Sequence, residues 1–125
     1  MMITKKYELI EGSEILVTGN PMYRIRALIN IKDFVRAGDL GGYVESEENL
    51  SHDGDAWVAD AAAAFGGARV YEDACLFSNA WLYGKAQAYG NASVGGEARV
   101  YGCAKICGKA YVSGDALIRD GLISG

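Results

Sequence analysis

The sequence predicts an all-β fold, a parallel β-solenoid built from coils of eighteen residues, and three observations carry that prediction. From Ala56 to Ala116 an alanine returns every six residues without a break. Two places after each alanine stands an aliphatic residue or a second alanine, as at Val58, Leu76, Leu82, Val100 and Ile118. The fifth place is usually glycine, and otherwise Asp, Glu or Ser. A helix repeats at 3.6 and a strand at 2, so a strict six needs a composite unit. One strand that buries its first and third side chains, followed by a turn at the fifth place, supplies it. Three such units close a triangular coil, and coils stack ~4.8 Å apart as neighbouring strands of a sheet.

Residue 18 then lies over residue 0, which writes out the core. One face stacks Val58, Leu76, Val94 and Val112; a second stacks Ala64, Leu82, Val100 and Ile118; a third stacks Val70, Ala88, Ile106 and Ser124. The small first-place alanines fit a cramped inward position beside each turn. The register extends backwards through Leu50 and Val44 at the first place and Leu40 at the third, so the solenoid is expected over 38–125. Residues 1–37 are of another kind. YELI and EILV read as strands joined around GS, TGNP as a turn, YRIRALINI as a strand, and KDFVRAG as a helical turn or irregular rung. A solenoid exposes its core at its ends, so 1–37 is assigned as an N-terminal β-rich cap. RDGLISG ends within a coil, and a partner subunit is expected to close that edge.

Charge and composition narrow the function. Lys and Arg number 12 against 16 Asp and Glu, a net charge of -4, which argues against a nucleic-acid or anionic-membrane binder. The imbalance is local, with six acidic and no basic residues over 38–55. No apolar run approaches the ~20 residues that cross a bilayer. Three cysteines and the polar start MMITKKYELI suggest a reduced, cytoplasmic protein. Cys103 and Cys107 lie roughly 13 Å apart in extended chain, beyond disulfide reach. No metal is expected, because Cys75, Cys103 and Cys107 form no CxxC and one histidine cannot make a three-histidine zinc site.

Shifted to begin at the aliphatic residue, the units VYEDAC, VGGEAR, VYGCAK and ICGKAY resemble the hexapeptide repeat of left-handed parallel β-helix proteins. YRIRAL followed by GDLGGYVESEENLSHDGDAWV is similar to bacterial and prophage proteins labelled acyltransferases on their repeats. The resemblance implies the left-handed crossover, a homotrimer, acetyl-CoA or another acyl-CoA as acyl donor, and a histidine as general base. His52, at an inward third place beside Asp53, is the catalytic candidate that this implies. Read from its position alone, His52 is a polar rung beneath the cap, and this reading is the preferred one. No loop leaves the solenoid after Gly38 to cover an active site, and GGYVESEE lacks the lysine of a phosphate loop. Glu45, Glu47, Glu48, Asp53 and Asp55 form an acidic collar that reads first as a solvated edge, and functionally as a place for a divalent cation or a basic partner.

The outward places carry the surface signal. Phe65, Tyr83 and Tyr101 fall in one column and Tyr71 with Tyr89 in a second, with Trp57, Trp81 and Arg99 at the outward second place. Contiguous aromatic ridges are rarely left bare on monomers, and Trp, Tyr and Arg anchor interfaces. The sequence therefore favours a cofactor-free binding or structural module that self-associates, as a trimer or with another protein partner. An acyltransferase is the alternative.

Overall fold

The computed structural model describes residues 5–17 and 19–125; MMIT and Thr18 of the TGNP turn lie outside them. The chain is an all-β parallel solenoid of about five turns with coils of 18 residues. In chain order the strands are β1 (Tyr7–Leu9), β2 (Ile15–Val17), β3 (Asn20–Ala27), β4 (Leu40–Val44), β5 (Trp57–Val58), β6 (Ala63–Ala64), β7 (Arg69–Val70) and β8 (Cys75–Leu76). They continue as β9 (Trp81–Leu82), β10 (Gln87–Ala88), β11 (Ser93–Val94), β12 (Arg99–Val100), β13 (Lys105–Cys107), β14 (Tyr111–Val112), β15 (Leu117–Ile118) and β16 (Leu122–Ser124). Face one holds β4, β6, β9, β12 and β15; face two holds β5, β8, β11 and β14; face three holds β7, β10, β13 and β16.

The alternation that places two side chains inward per hexad also closes the corners. Each first-place alanine is buried or nearly so, and from Ala62 to Ala110 its N–H closes the turn behind it, as Ala98 does onto the Gly95 carbonyl at 3.3 Å. Little space remains there for more than a methyl group. The fifth place is left-handed in coil after coil, at φ 56° for Asp60 and 62° for Gly96. At Gly96 a Cβ would also lie 2.6 Å from the Gly114 nitrogen, one coil on. Side chains are tolerated where they bond to the next corner. Asp60 Oδ2 accepts the Ser78 N–H at 3.0 Å, and Glu72 Oε1 accepts the Gly90 N–H at 2.9 Å.

Inward third-place residues fill the centre in balanced sets. Leu76 and Leu82 share their coil with Ala88, whereas Val94, Val100 and Ile106 fill the next; all six are fully buried. Large and small residues alternate between faces, so the cross-section stays nearly constant.

Two departures from the strict period appear. At the start, Val44 pairs with Ala64 and Leu50 with Val70, a separation of twenty rather than eighteen. Both therefore stand at the third-place register, not the first, and Leu40 is outward and exposed. The two extra residues fall between Leu50 and Val58, so one small excursion does leave the coil after Gly38, around His52. At the other end Ile106 pairs with Ile123, a separation of seventeen, so Ile123 rather than Ser124 completes the third stack.

The N-terminal strands extend face one with antiparallel partners. β1 and β2 do not form a hairpin with each other; both pair with the long β3, which pairs with β4, which pairs in parallel with β6. KDFVRAG forms a tight loop in which the Ile31 and Val35 backbones bond to each other and both side chains are buried. Close approach of β4 to the first coil requires the paired glycines: a Cβ at Gly41 would lie 2.7 Å from both Ile25 and Trp57.

Candidate functional site

Two regions hold the chemistry-bearing residues, the junction where the N-terminal strands cover the first coil and the outer face of face one.

At the junction, Ser46 opens a single 3₁₀ turn over Glu47–Asn49, and this turn carries the chain round the first corner. Asn49 is fully buried and its amide is saturated. Its Oδ1 accepts the Ser46 N–H at 2.9 Å and the Glu45 N–H at 3.2 Å, while Nδ2 donates to the carbonyls of Ala68 at 2.9 Å and Gly66 at 3.1 Å. One side chain thus ties the irregular first coil to the regular second.

His52 lies on the excursion next to that turn. Its ring stacks on Tyr7 with centroids 4.2 Å apart and planes 10° from parallel. Its Nδ1 accepts the Lys6 backbone N–H at 3.1 Å, so the neutral ring carries its proton on Nε2 and donates it to Glu47 Oε1 at 2.8 Å. This bond is the first cause that holds the Glu47 carboxyl below the usual carboxylate range. The carboxylate on the histidine is therefore Glu47, not its sequence neighbour Asp53, which is exposed. The lone pair that a general base would use is engaged by the backbone N–H of Lys6, the residue just before β1.

The acidic collar does not gather into one site. Glu45 Oε1 accepts the Gly66 N–H at 2.7 Å, Glu47 meets His52 and Lys5, and Asp55 bonds through its backbone to Asp73 Oδ1 at 3.3 Å. Among the described residues no cluster of three His, Cys, Asp or Glu side chains is suited to a metal. The cysteines are separate thiols, and burial raises the pKa of Cys75.

Beside His52, Lys6 and Tyr7 plug the end of the core. Lys6 is 1% exposed, and its ammonium donates to the carbonyls of Ala56 at 2.6 Å and Gly54 at 3.3 Å. Desolvation pushes its pKa down from 10.5 to about 8, against the opposing pull of Asp55 and other neighbours. Burial drives the Tyr7 phenol upward, and its hydroxyl donates to the Leu50 carbonyl. A folded-state pKa below the unfolded one means that Lys6 contributes stability fully present above 10.5 and lost as pH falls toward 8. Tyr7 and Cys75, both raised, lose stability in the opposite direction as pH climbs. The effect of Lys6 is isolated by comparison with Lys6→Met. Between pH 8 and 10.5 urea denaturation is expected to find wild type gaining on the order of 2 kcal/mol relative to the variant. A constant difference across that window would contradict the buried ammonium.

The outer side of face one carries the aromatic columns. Phe65 and Tyr83 stack at 5.0 Å and 1°, Tyr83 and Tyr101 at 5.2 Å and 8°. Trp81 stands edge-on to Phe65 and Tyr83, at 5.8 and 6.3 Å. The Arg99 guanidinium lies 4.2 Å over the Trp81 ring, with Nη1 held by the Asn79 carbonyl at 2.8 Å. β3 and β4 add three residues for which the hexad pattern gave no sign. Met22 is buried against Ala63 and Phe65, and Arg24 lies over the ring of Tyr43 at 5.3 Å. The alternation in PMYRIRAL, with Met22 and Arg24 on one side and Tyr23 and Ile25 on the other, is the signal that could have found the first two.

Two expected surface residues are not on the surface. Trp57 points out of its coil but is 2% exposed, because the N-terminal strands cover it and Tyr7 meets it edge-on. Phe65 is 3% exposed, closed over by Met22 and its stacked neighbours. Trp81, Tyr83, Tyr101 and Arg99 remain half-buried on face one. Tyr71 and Tyr89 stack separately on face three, at 5.0 Å and 8°. Among the described residues no helix is long and apolar enough to cross a membrane. Neither a protein-family model nor a curated protein matches the sequence.

Proposed function

We propose that the protein is a rigid, non-catalytic binding or structural module that self-associates through the outer side of face one, with a trimer as the favoured assembly. The observation that carries this reading is the fixed ridge of Trp81, Tyr83 and Tyr101 with Arg99 clamped over Trp81. Stacked rings and a backbone-held guanidinium lose little side-chain freedom on association, which is why such groups act as interface anchors. The parallel solenoid supplies the rigidity, since its coils are hydrogen-bonded to one another along three faces, and along two at the last coil. Trp81→Ala removes the centre of the ridge without touching the inward stacks. Its solution mass is expected to fall towards that of a monomer under conditions where wild type is oligomeric, a loss of at least about tenfold in association constant. An unchanged association constant would overturn the assignment of this face.

The alternative, an acyltransferase of the left-handed hexapeptide-repeat kind using acetyl-CoA and His52, has the His52–Glu47 contact in its favour. Against it stand the Lys6 N–H on Nδ1 and the Tyr7 ring stacked on the imidazole. A base needs a free lone pair within reach of the acceptor proton. Acetyl-CoA separates the readings: the module reading predicts no saturable heat in calorimetry, and saturable binding together with acetyl transfer that is lost in His52→Gln would favour the enzyme.

A further inference from the structure

The ring stack of face three stops one rung short of a cavity. Leu50 pairs with Val70, and β7 pairs with β10, so the outward residues beside them run Ser51, Tyr71, Tyr89. Tyr89 covers one side of the Tyr71 ring. On the other side the rung neighbour is Ser51, which has no ring to offer. There a cavity of about 350 Å³ opens, lined by Glu48, Ser51, Arg69, Val70, Tyr71 and Gln87.

We propose that this cavity binds a flat aromatic or heteroaromatic ring bearing an acidic group, which stacks on Tyr71 in place of the missing rung. Several features fit that ligand. Where rings occupy consecutive rungs of this solenoid they stack at 5.0–5.2 Å, so the rise of the coil already sets a stacking distance. The Tyr71 hydroxyl donates to Gln87 Oε1 at 2.8 Å, which fixes the platform before a ligand arrives. Arg69 is exposed, and among the described residues it has no ion pair, so its guanidinium is free to grip a carboxylate. Glu48 on the same rim offers an acceptor for a ring N–H, and it disfavours a ligand with more than one negative charge. The volume suits one small ring system, near the lower end of small-molecule sites at about 300 Å³. This site lies on face three and does not depend on association through face one.

Calorimetry with indole-3-carboxylate as the probe tests the proposal, with indole and cyclohexanecarboxylate as controls. Saturable binding of indole-3-carboxylate is expected, weaker by at least about tenfold for indole, which lacks the acid, and for cyclohexanecarboxylate, which lacks the flat face. Ser51→Tyr extends the protein's own column into the gap and is expected to abolish binding with the urea midpoint retained. Arg69→Gln, an exposed change with no structural role, is expected to weaken binding about tenfold and decides the matter if Ser51→Tyr does not fold. No saturable binding by wild type, equal affinity for the cyclohexane acid, or unchanged affinity in Arg69→Gln would each overturn the proposal.

Discussion

Replacing Asn49 by alanine is expected to destabilise the protein by at least ~3 kcal/mol. The buried amide serves four backbone groups, the N–H of Glu45 and Ser46 and the carbonyls of Gly66 and Ala68. Alanine leaves these groups without their partner in a region that water reaches poorly, and each lost partner costs about 1–3 kcal/mol where no water replaces it. Not all four will be orphaned, because Glu45 N–H also bonds to the Ala64 carbonyl at 3.3 Å. Asn49→Asp discriminates the cause. It keeps the acceptor but sets a carboxylate against two carbonyls, so it should be as damaging at neutral pH and milder in acid, where a protonated carboxyl donates again. Urea denaturation of both variants at two pH values checks this. A loss below 1 kcal/mol for Asn49→Ala would mean that the first coil is held by the ladder alone.

Leu82→Ala is the second large effect, with an expected loss of about 2–5 kcal/mol. Leu82 is fully buried at mid-solenoid, between Ala64 one coil below and Val100 one coil above. Alanine there would place two methyl side chains in succession along face one, and Ala88 of the same coil is too small to fill the gap. The backbone resists collapse inward, because Trp81 and Tyr83, which flank Leu82, donate to the Ala98 and Val100 carbonyls of the next coil. Such a poorly relaxing site belongs at the high end of the range. The same truncation at Ile118, half-exposed near the last coil, should cost clearly less. Equal losses at the two positions would contradict a continuous stacked core.

Most of the fold was legible because the six-residue period encodes three things together: which side chains point inward, where the corner falls, and which residue lies one coil on. Its failures have a common origin in register. Val44 and Leu50 read as first-place residues, yet they stand two places later. Both places point inward, so a slip of two leaves the apolar pattern intact and invisible. A slip of one is different, since it exchanges inside for outside; the short last turn therefore puts Ile123 where Ser124 was expected. His52 followed the same error. The six-residue count puts it at an inward place, whereas the two extra residues around it lift it onto the corner beneath Tyr7.

The candidate site was less legible, because its decisive contacts join distant parts of the chain. Lys6 meets His52 and Ala56, 46 and 50 residues away, and no repeat predicts which side chain will plug a core. Trp57 obeyed the outward rule for its coil and was nevertheless covered by strands outside the repeat. Where both partners belong to hexads the rule did hold. The Phe65–Tyr83–Tyr101 column, the Tyr71–Tyr89 pair and Arg99 over Trp81 are each set by the coil length alone.

Trp81 stands at the centre of the proposed interface on face one, and its accessibility reports association directly. Trp57→Phe leaves Trp81 as the sole tryptophan, so quenching of its fluorescence by iodide can be followed as protein concentration rises. If face one is an interface, quenching falls with concentration in step with the rise in solution mass above 13.3 kDa. Quenching that stays constant while the mass rises, or a mass that stays at the monomer value, would contradict it.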